Sequence, residues 1–216
     1  MTTFPNGPGY VCIDATALIQ FEELNQLFYF EKWFGDPVFT PHAVEWELGK
    51  NAARKIDNKA ILTAPWITKV VVDDPTDVQK VVQLRRRWSS ALDKDWGEAE
   101  VIVLCQRFGW TAIMEDRTGR EACIQAGIPV VYWTSMIIAA AAHGLITMKD
   151  AWNLHKSLSL TSSPGIISAH EVHKPIFEKS IAVVAQLAKK YEYGWPQTLG
   201  SGKVDGLVER VRQLAS

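Results

Sequence analysis

The chain has 216 residues, of which 47% are apolar and 22% charged, and its formal net charge is −1. This balance suits one α/β domain with an appendage and excludes a chain too polar to build a core. It also leaves no global field to draw in nucleic acid, so any such binding must use a local patch. The cysteines Cys12, Cys105 and Cys123 lie in apolar surroundings without ligand spacing and read as reduced packing residues of a cytoplasmic protein. The opening M-T-T-F-P-N-G-P-G lacks a basic n-region and an apolar h-region, so no signal peptide is expected.

Residues 10–14 read as a short buried strand ending in the carboxylate of Asp14. The hydroxyl of Thr16 follows two residues later and can support a site there; equally, Asp14 suits the N-cap of the helix that begins near Ala15. Residues 38–40 form a second strand, and Pro41 fits the first turn of the next helix. On that helix Val44, Glu47 and Leu48 share a stripe, while Glu45 points elsewhere to solvent; Glu47 is either functional or solvated. Residues 50–59 are polar, an exposed helix or loop. The β-branched run 67–72 is a third strand, and Asp77 opens a helix to about Leu92. Arg85, Arg86 and Arg87 on this helix are either solvated or a phosphate-gripping patch with Trp88 beside it for base stacking.

The stretch 95–122 is the most informative. A helix opens on Glu98, and Glu98, Val101, Ile102 and Cys105 fall on one face, so a carboxylate shares a stripe with core residues. Asp95 stands three residues earlier and offers a capping box as the alternative. Residues 111–114 form a strand that ends in Glu115 and Asp116, where acids of an α/β fold point into the ligand crevice. A helix over 118–127 closes at Gly127, residues 128–132 form the last strand, and helices follow over 135–142 and 149–158. The uncharged run 128–146 reaches membrane-spanning length, but Pro129, Thr134, Ser135, His143 and Gly144 interrupt it, and the better parse is a strand followed by a core helix. Strands alternating with helices imply a parallel sheet of four to five strands with helices on both faces.

From Ser159 the texture changes. A linker-like T-S-S-P-G precedes amphipathic segments at 175–191 and 203–215, giving a body over 1–158 and a helical extension over 159–216. Phe177, Ile181, Val184, Ala188 and Tyr191 repeat at helical steps and demand a cover, which is expected to be the body itself rather than a second copy or partner. His170 and His173 lack a third ligand nearby, so no metal site is expected there.

Asp14, Glu47, Glu98 and Asp116 would repel one another if gathered, and a hard divalent cation such as Mg²⁺ or Mn²⁺ resolves that conflict. The segments V-C-I-D-A-T-A-L-I (11–19), P-H-A-V-E-W-E-L (41–48), G-E-A-E-V-I-V-L (97–104) and I-M-E-D-R-T-G-R-E-A (113–122) resemble those of the PIN-domain ribonucleases, the family that includes toxins of bacterial toxin–antitoxin pairs. A-H-G-L-I (142–146) looks like the end of the shorter variants with a Gly-Glu and an Asp-Arg element. The resemblance covers about residues 8–158. It implies an RNA-cleaving enzyme that leaves a 5′-phosphate and a 3′-hydroxyl, with Asp14, Glu98 and Asp116 on the metal and Glu47 as a further ligand or water-orienting acid. Thr16 and Glu115 would support them. It also implies a homodimer and an antitoxin protein as partner. One departure is that similar proteins often place Asp first where this chain has Glu115-Asp116. The alternative is a catalytically inactive PIN-like module that binds RNA or a protein. A phosphatase of the haloacid dehalogenase type is set aside, because its second Asp would stand where this chain has Thr16.

Overall fold

The computed structural model describes residues 4–7, 9–29, 31, 38–51, 58–88, 95–142, 144–158 and 180–182. The linker, the His170–His173 pair and the segment 203–215 lie outside the described residues, as does most of the polar stretch 50–59. Five parallel strands form one sheet in the order β3-β2-β1-β4-β5. They are β1 (Val11–Ile13), β2 (Val38–Pro41), β3 (Ile67–Val70), β4 (Thr111–Ile113) and β5 (Val130–Val131). Around them lie α1 (Ala15–Glu23), α2 (His42–Asn51), α3 (Lys59–Leu62), α4 (Pro75–Trp88), α5 (Trp96–Phe108), α6 (Arg117–Gln125), α7 (Trp133–Ala142) and α8 (Met148–Ser157). This is the parallel α/β architecture that the alternating pattern predicts.

Period-two alternation sends neighbouring strand residues into two separate cores. Val11, Ile13, Val38, Ile113 and Val131 pack with Leu18 and Phe21 of α1, Val44 and Leu48 of α2, and the apolar residues of α7. Cys12, Phe39, Val70, Ala112 and Val130 face the other way, onto Val101, Ile102, Leu104 and Cys105 of α5. The sheet is therefore covered on both sides, as an all-parallel sheet requires. All three cysteines are free and buried in this second core, in keeping with packing residues. Burial pushes the Cys105 thiol well up and that of Cys123 to about 12, so neither is a ready thiolate.

Every residue from Trp133 to Ala140 is buried. A helix apolar all round belongs at the centre of a core, which explains the long uncharged run. Among the described residues no helix is long and apolar enough to cross a membrane. Several boundaries shift from the sequence expectation. Pro41 ends β2 instead of opening the helix, and β3 stops at Val70 with Val71 exposed. α4 opens at Pro75, two residues before Asp77, while its expected end near Leu92 lies outside the described residues. Gly127 closes α6 as expected, with φ at +72° and the Ile128 amide donating to the Cys123 carbonyl at 2.9 Å.

Three residues of the C-terminal region are described, and they sit on the body. Ser180 is fully buried, Ile181 joins the α7–α8 core, and the Tyr132 and Ser180 hydroxyls lie 2.6 Å apart. Of the apolar repeat only Ile181 is among the described residues, and it packs on the body; Phe177, Val184, Ala188 and Tyr191 lie outside them. Ile181→Ala should therefore cost about 2 kcal/mol or more and lower the melting temperature by roughly 4 °C or more. An unchanged melting curve would show that the contact contributes nothing to stability.

Candidate active site

From β1 the chain steps outward to β2 and β3, while β4 and β5 build the opposite side of the sheet. The carboxyl ends of β1 and β4 therefore flank the topological switch point, where an open parallel sheet forms its crevice. Asp14 and the pair Glu115-Asp116 immediately follow these two strands.

Asp14 is 1% exposed and both its oxygens are engaged. Oδ1 accepts from the Ala17 amide at 2.8 Å, capping α1, and Oδ2 accepts from the Glu115 amide at 3.1 Å, tying β1 to the end of β4. Burial, then repulsion from Glu98, holds its carboxyl well above the usual range, and the two amides oppose them. Thr16, half-buried, lies in the first turn of the same helix.

Glu98 faces the same region from the first turn of α5. Its Oε2 is buried and accepts no hydrogen bond among the described residues. Burial is the main cause that raises its carboxyl to about 7, followed by repulsion from Glu47, with smaller contributions from Asp95 and Asp116. An orphaned buried oxygen among like charges is costly, and it marks the place where a cation or proton is most welcome.

The capping box offered by Asp95 does not form. Asp95 has a left-handed backbone (φ 61°) and makes no side-chain cap. Glu47, fifty residues away, supplies the cap: its Oε1 accepts from the Gly97 amide at 3.0 Å. A Cβ on residue 97 would come within 2.8 Å of Glu47 Oε2 and 3.0 Å of Val44 Cγ2, so only glycine lets α2 and α5 approach this closely. Glu45 is not simply solvated, because it pairs with Lys69 and with His42.

The two acids after β4 part company. Asp116 is exposed and caps α6 through Gly119 N at 2.8 Å. Glu115 is buried, and its Oε1 accepts from the Trp133 amide at the start of α7 at 2.5 Å. Burial lifts Glu115 to about 7 against the pull of that amide and of Arg120. Arg120 donates to the Glu115 carbonyl oxygen and lies over the Tyr132 ring at 5.4 Å. The three arginines of α4 also separate. Arg85 is buried with its guanidinium 4.5 Å from the Trp96 ring centroid, so it packs α4 on α5, while Arg86 and Arg87 are exposed. A single three-arginine patch is thereby reduced to two surface cations.

The donors suit a hard cation in kind: they are all oxygen, they repel one another, and one is buried and orphaned. They are not drawn into a finished cage, since among the described residues no group of three His, Cys, Asp or Glu side chains is placed to hold a metal. Instead, most of the acids hold helix starts. Three of these contacts escape sequence reading: Glu47 to Gly97, Glu115 to Trp133, and Glu100 Oε2 to the Ala43 amide at 3.2 Å. The glycine before Glu98 was the one local signal, because a Gly in a helix's first turn marks a close neighbour.

The model of a PIN-domain family matches residues 10–172, and the chain belongs to that family. The match runs past residue 158, where the sequence reading ends the body. Comparison with curated proteins and with solved structures returned no match. The fold is thus that of a nuclease-type domain, a class of hydrolases that acts on RNA and typically uses divalent metals.

The raised acids have a consequence for stability. Folding lifts Glu98 and Glu115 from 4.5 to about 7, so between these values the folded chain holds protons that the unfolded chain has released. Their stabilising contribution is complete below pH 4.5 and is lost as pH rises through 7. In EDTA, the melting temperature should fall between pH 5 and pH 8, and Glu98→Gln should remove part of that fall, on the order of 2 kcal/mol. A variant whose pH profile runs parallel to the parent would rule out Glu98 as a source.

Proposed function

We propose that the protein is a Mg²⁺- or Mn²⁺-dependent endoribonuclease. The observation that carries this reading is Glu98, a carboxylate held near 7 with one buried oxygen unpartnered, facing Asp14, Glu47 and Asp116 at the switch point of the sheet. Asp14, Glu98 and Asp116 would hold the cation, with Glu47 beside them and Thr16 and Glu115 in support. The cation, when bound, would supply a water of lowered pKa and offset charge on the phosphoryl oxygens. The chain's own groups keep this edge of the sheet rigid: Asp14 locks β1 to β4, and Glu115 ties the strand end to α7. Arg86 and Arg87, exposed at the end of α4, would bind the RNA backbone.

The choice of variant follows from the hydrogen bonds. Asp14→Asn sets an amide group against one of two backbone N–H donors, so it disturbs folding as well as charge. Glu98→Gln removes the charge where Oε2 has no hydrogen bond to lose. It should abolish Mn²⁺ uptake in calorimetry and lower RNA cleavage on the order of 100-fold while the protein remains folded. Cleavage that survives both EDTA and Glu98→Gln would eliminate the mechanism. The non-catalytic alternative has one observation in its favour: both Asp14 oxygens are already engaged by amides. Absence of Mn²⁺ uptake in the parent would decide for it.

The toxin role, with an antitoxin partner, a homodimeric state and a cytoplasmic setting, is the biological form of this proposal. Induced expression of the parent should arrest growth, and Glu98→Gln should not. Arg86→Ala with Arg87→Ala should weaken all RNAs alike and reduce the salt slope by up to about 2. Arg85→Ala should instead lower stability through lost contact with Trp96. An unaltered salt slope in the double variant would remove these arginines from the interface.

A further inference from the structure

α2 and α5 lie against each other in opposite directions, and each terminates the other. Glu100, in the second turn of α5, accepts from the Ala43 amide in the first turn of α2 at 3.2 Å. One turn further along α2, Glu47 accepts from the Gly97 amide in the first turn of α5 at 3.0 Å. Each amide lies among the first four of its helix, which lack intrahelical acceptors, and each acid adds its charge to the positive end of its neighbour's dipole. The two contacts are a two-point clamp, because a helix fixed only once can still pivot or slide along its axis. Glu100 lies two residues from Glu98, about 200° around the helix, so it is turned away from the acid cluster. Burial raises its carboxyl, and the Ala43 amide opposes that rise.

From this geometry we infer that Glu100 is a positioning residue: by holding the first turn of α2, it keeps Glu47 on the Gly97 amide and beside Glu98. The effect on the cation rests on the nuclease reading, whereas the effect on Glu47 does not. Val44 and Leu48 also anchor α2 by burial, so losing Glu100 leaves the helix in place but free to shift along its contact with α5. Groups hydrogen-bonded directly to a metal ligand typically change its affinity about 10- to 100-fold, and Glu100 acts a step further out, through Glu47, so the low end of that range is expected.

The test uses the full chain with Glu100→Ala, Glu100→Asp and Glu100→Gln. Two readouts are taken: hydrogen exchange of the Gly97 amide by NMR without added metal, and Mn²⁺ affinity by calorimetry. Alanine, and aspartate with its shorter reach, should speed Gly97 exchange and weaken Mn²⁺ binding by about tenfold. Glutamine keeps a carbonyl acceptor and should restore both to near the parent values. Aspartate keeps the charge and is the readout if alanine does not fold. A melting temperature lowered by alanine or aspartate, with Gly97 exchange and Mn²⁺ affinity unchanged, would reduce Glu100 to an ordinary cap and overturn the inference. A parent that takes up no Mn²⁺ would overturn the nuclease reading, while Gly97 exchange still decides whether Glu100 governs Glu47.

Discussion

The structure depends on one constraint of parallel sheets. All the strands run in one direction, so the helices that directly follow β1, β2, β4 and β5 start at one edge, and each helix start exposes amides without intrahelical acceptors. Carboxylates meet these four starts, α1 by Asp14, α2 by Glu100, α6 by Asp116 and α7 by Glu115. Glu47 meets that of α5, which follows α4 rather than a strand, and the start of α4 is met by Asp74. The positive ends of the helices make a crowd of acids tolerable along that edge. The acids in turn fix where each helix enters the core. Glu47 and Glu100 do this between helices, and Asp14 does it between β1 and the end of β4.

Amides offset only part of the charge. Asp14, Glu98 and Glu115 all remain above their ordinary range, because burial removes the water that would otherwise stabilise the ionised forms, and repulsion from neighbouring acids adds to this at Asp14 and Glu98. Among them Glu98 stands apart in having a buried oxygen that nothing among the described residues satisfies. The crevice therefore holds an excess of acceptors over donors. That excess is a burden for stability and a requirement for binding a cation, and the helix starts limit the burden without removing it.

Capping and function are not rival explanations at these positions. For Asp14 the sequence leaves a helix cap and a site residue open, and the structure has it capping a helix while standing among the other acids; Asp116, read in sequence as a site residue, caps a helix as well. Asp95 shows the opposite error. Its spacing from Glu98 suits a capping box, but its left-handed backbone turns the side chain out of that role, and a residue from another helix takes it. The arginine triplet could not be divided in sequence, since only the packing of α4 on α5 places Arg85 over Trp96 and leaves Arg86 and Arg87 exposed.

The sequence by itself determined the elements and the direction of the sheet. Short apolar runs alternating with helical stripes are enough for a parallel α/β fold, and an acid directly after a strand is placed at the crevice by chain continuity alone. Asp14, Glu115 and Asp116 were legible for that reason. The tertiary structure alone decided which acid serves which helix, because Glu47 reaches Gly97 and Glu100 reaches Ala43 across separations that no local pattern encodes. It also decided that Glu115 turns inward to α7 while Asp116 faces solvent. Adjacent residues share a backbone position but not a direction, and the direction is set by whichever distant helix start lacks an acceptor.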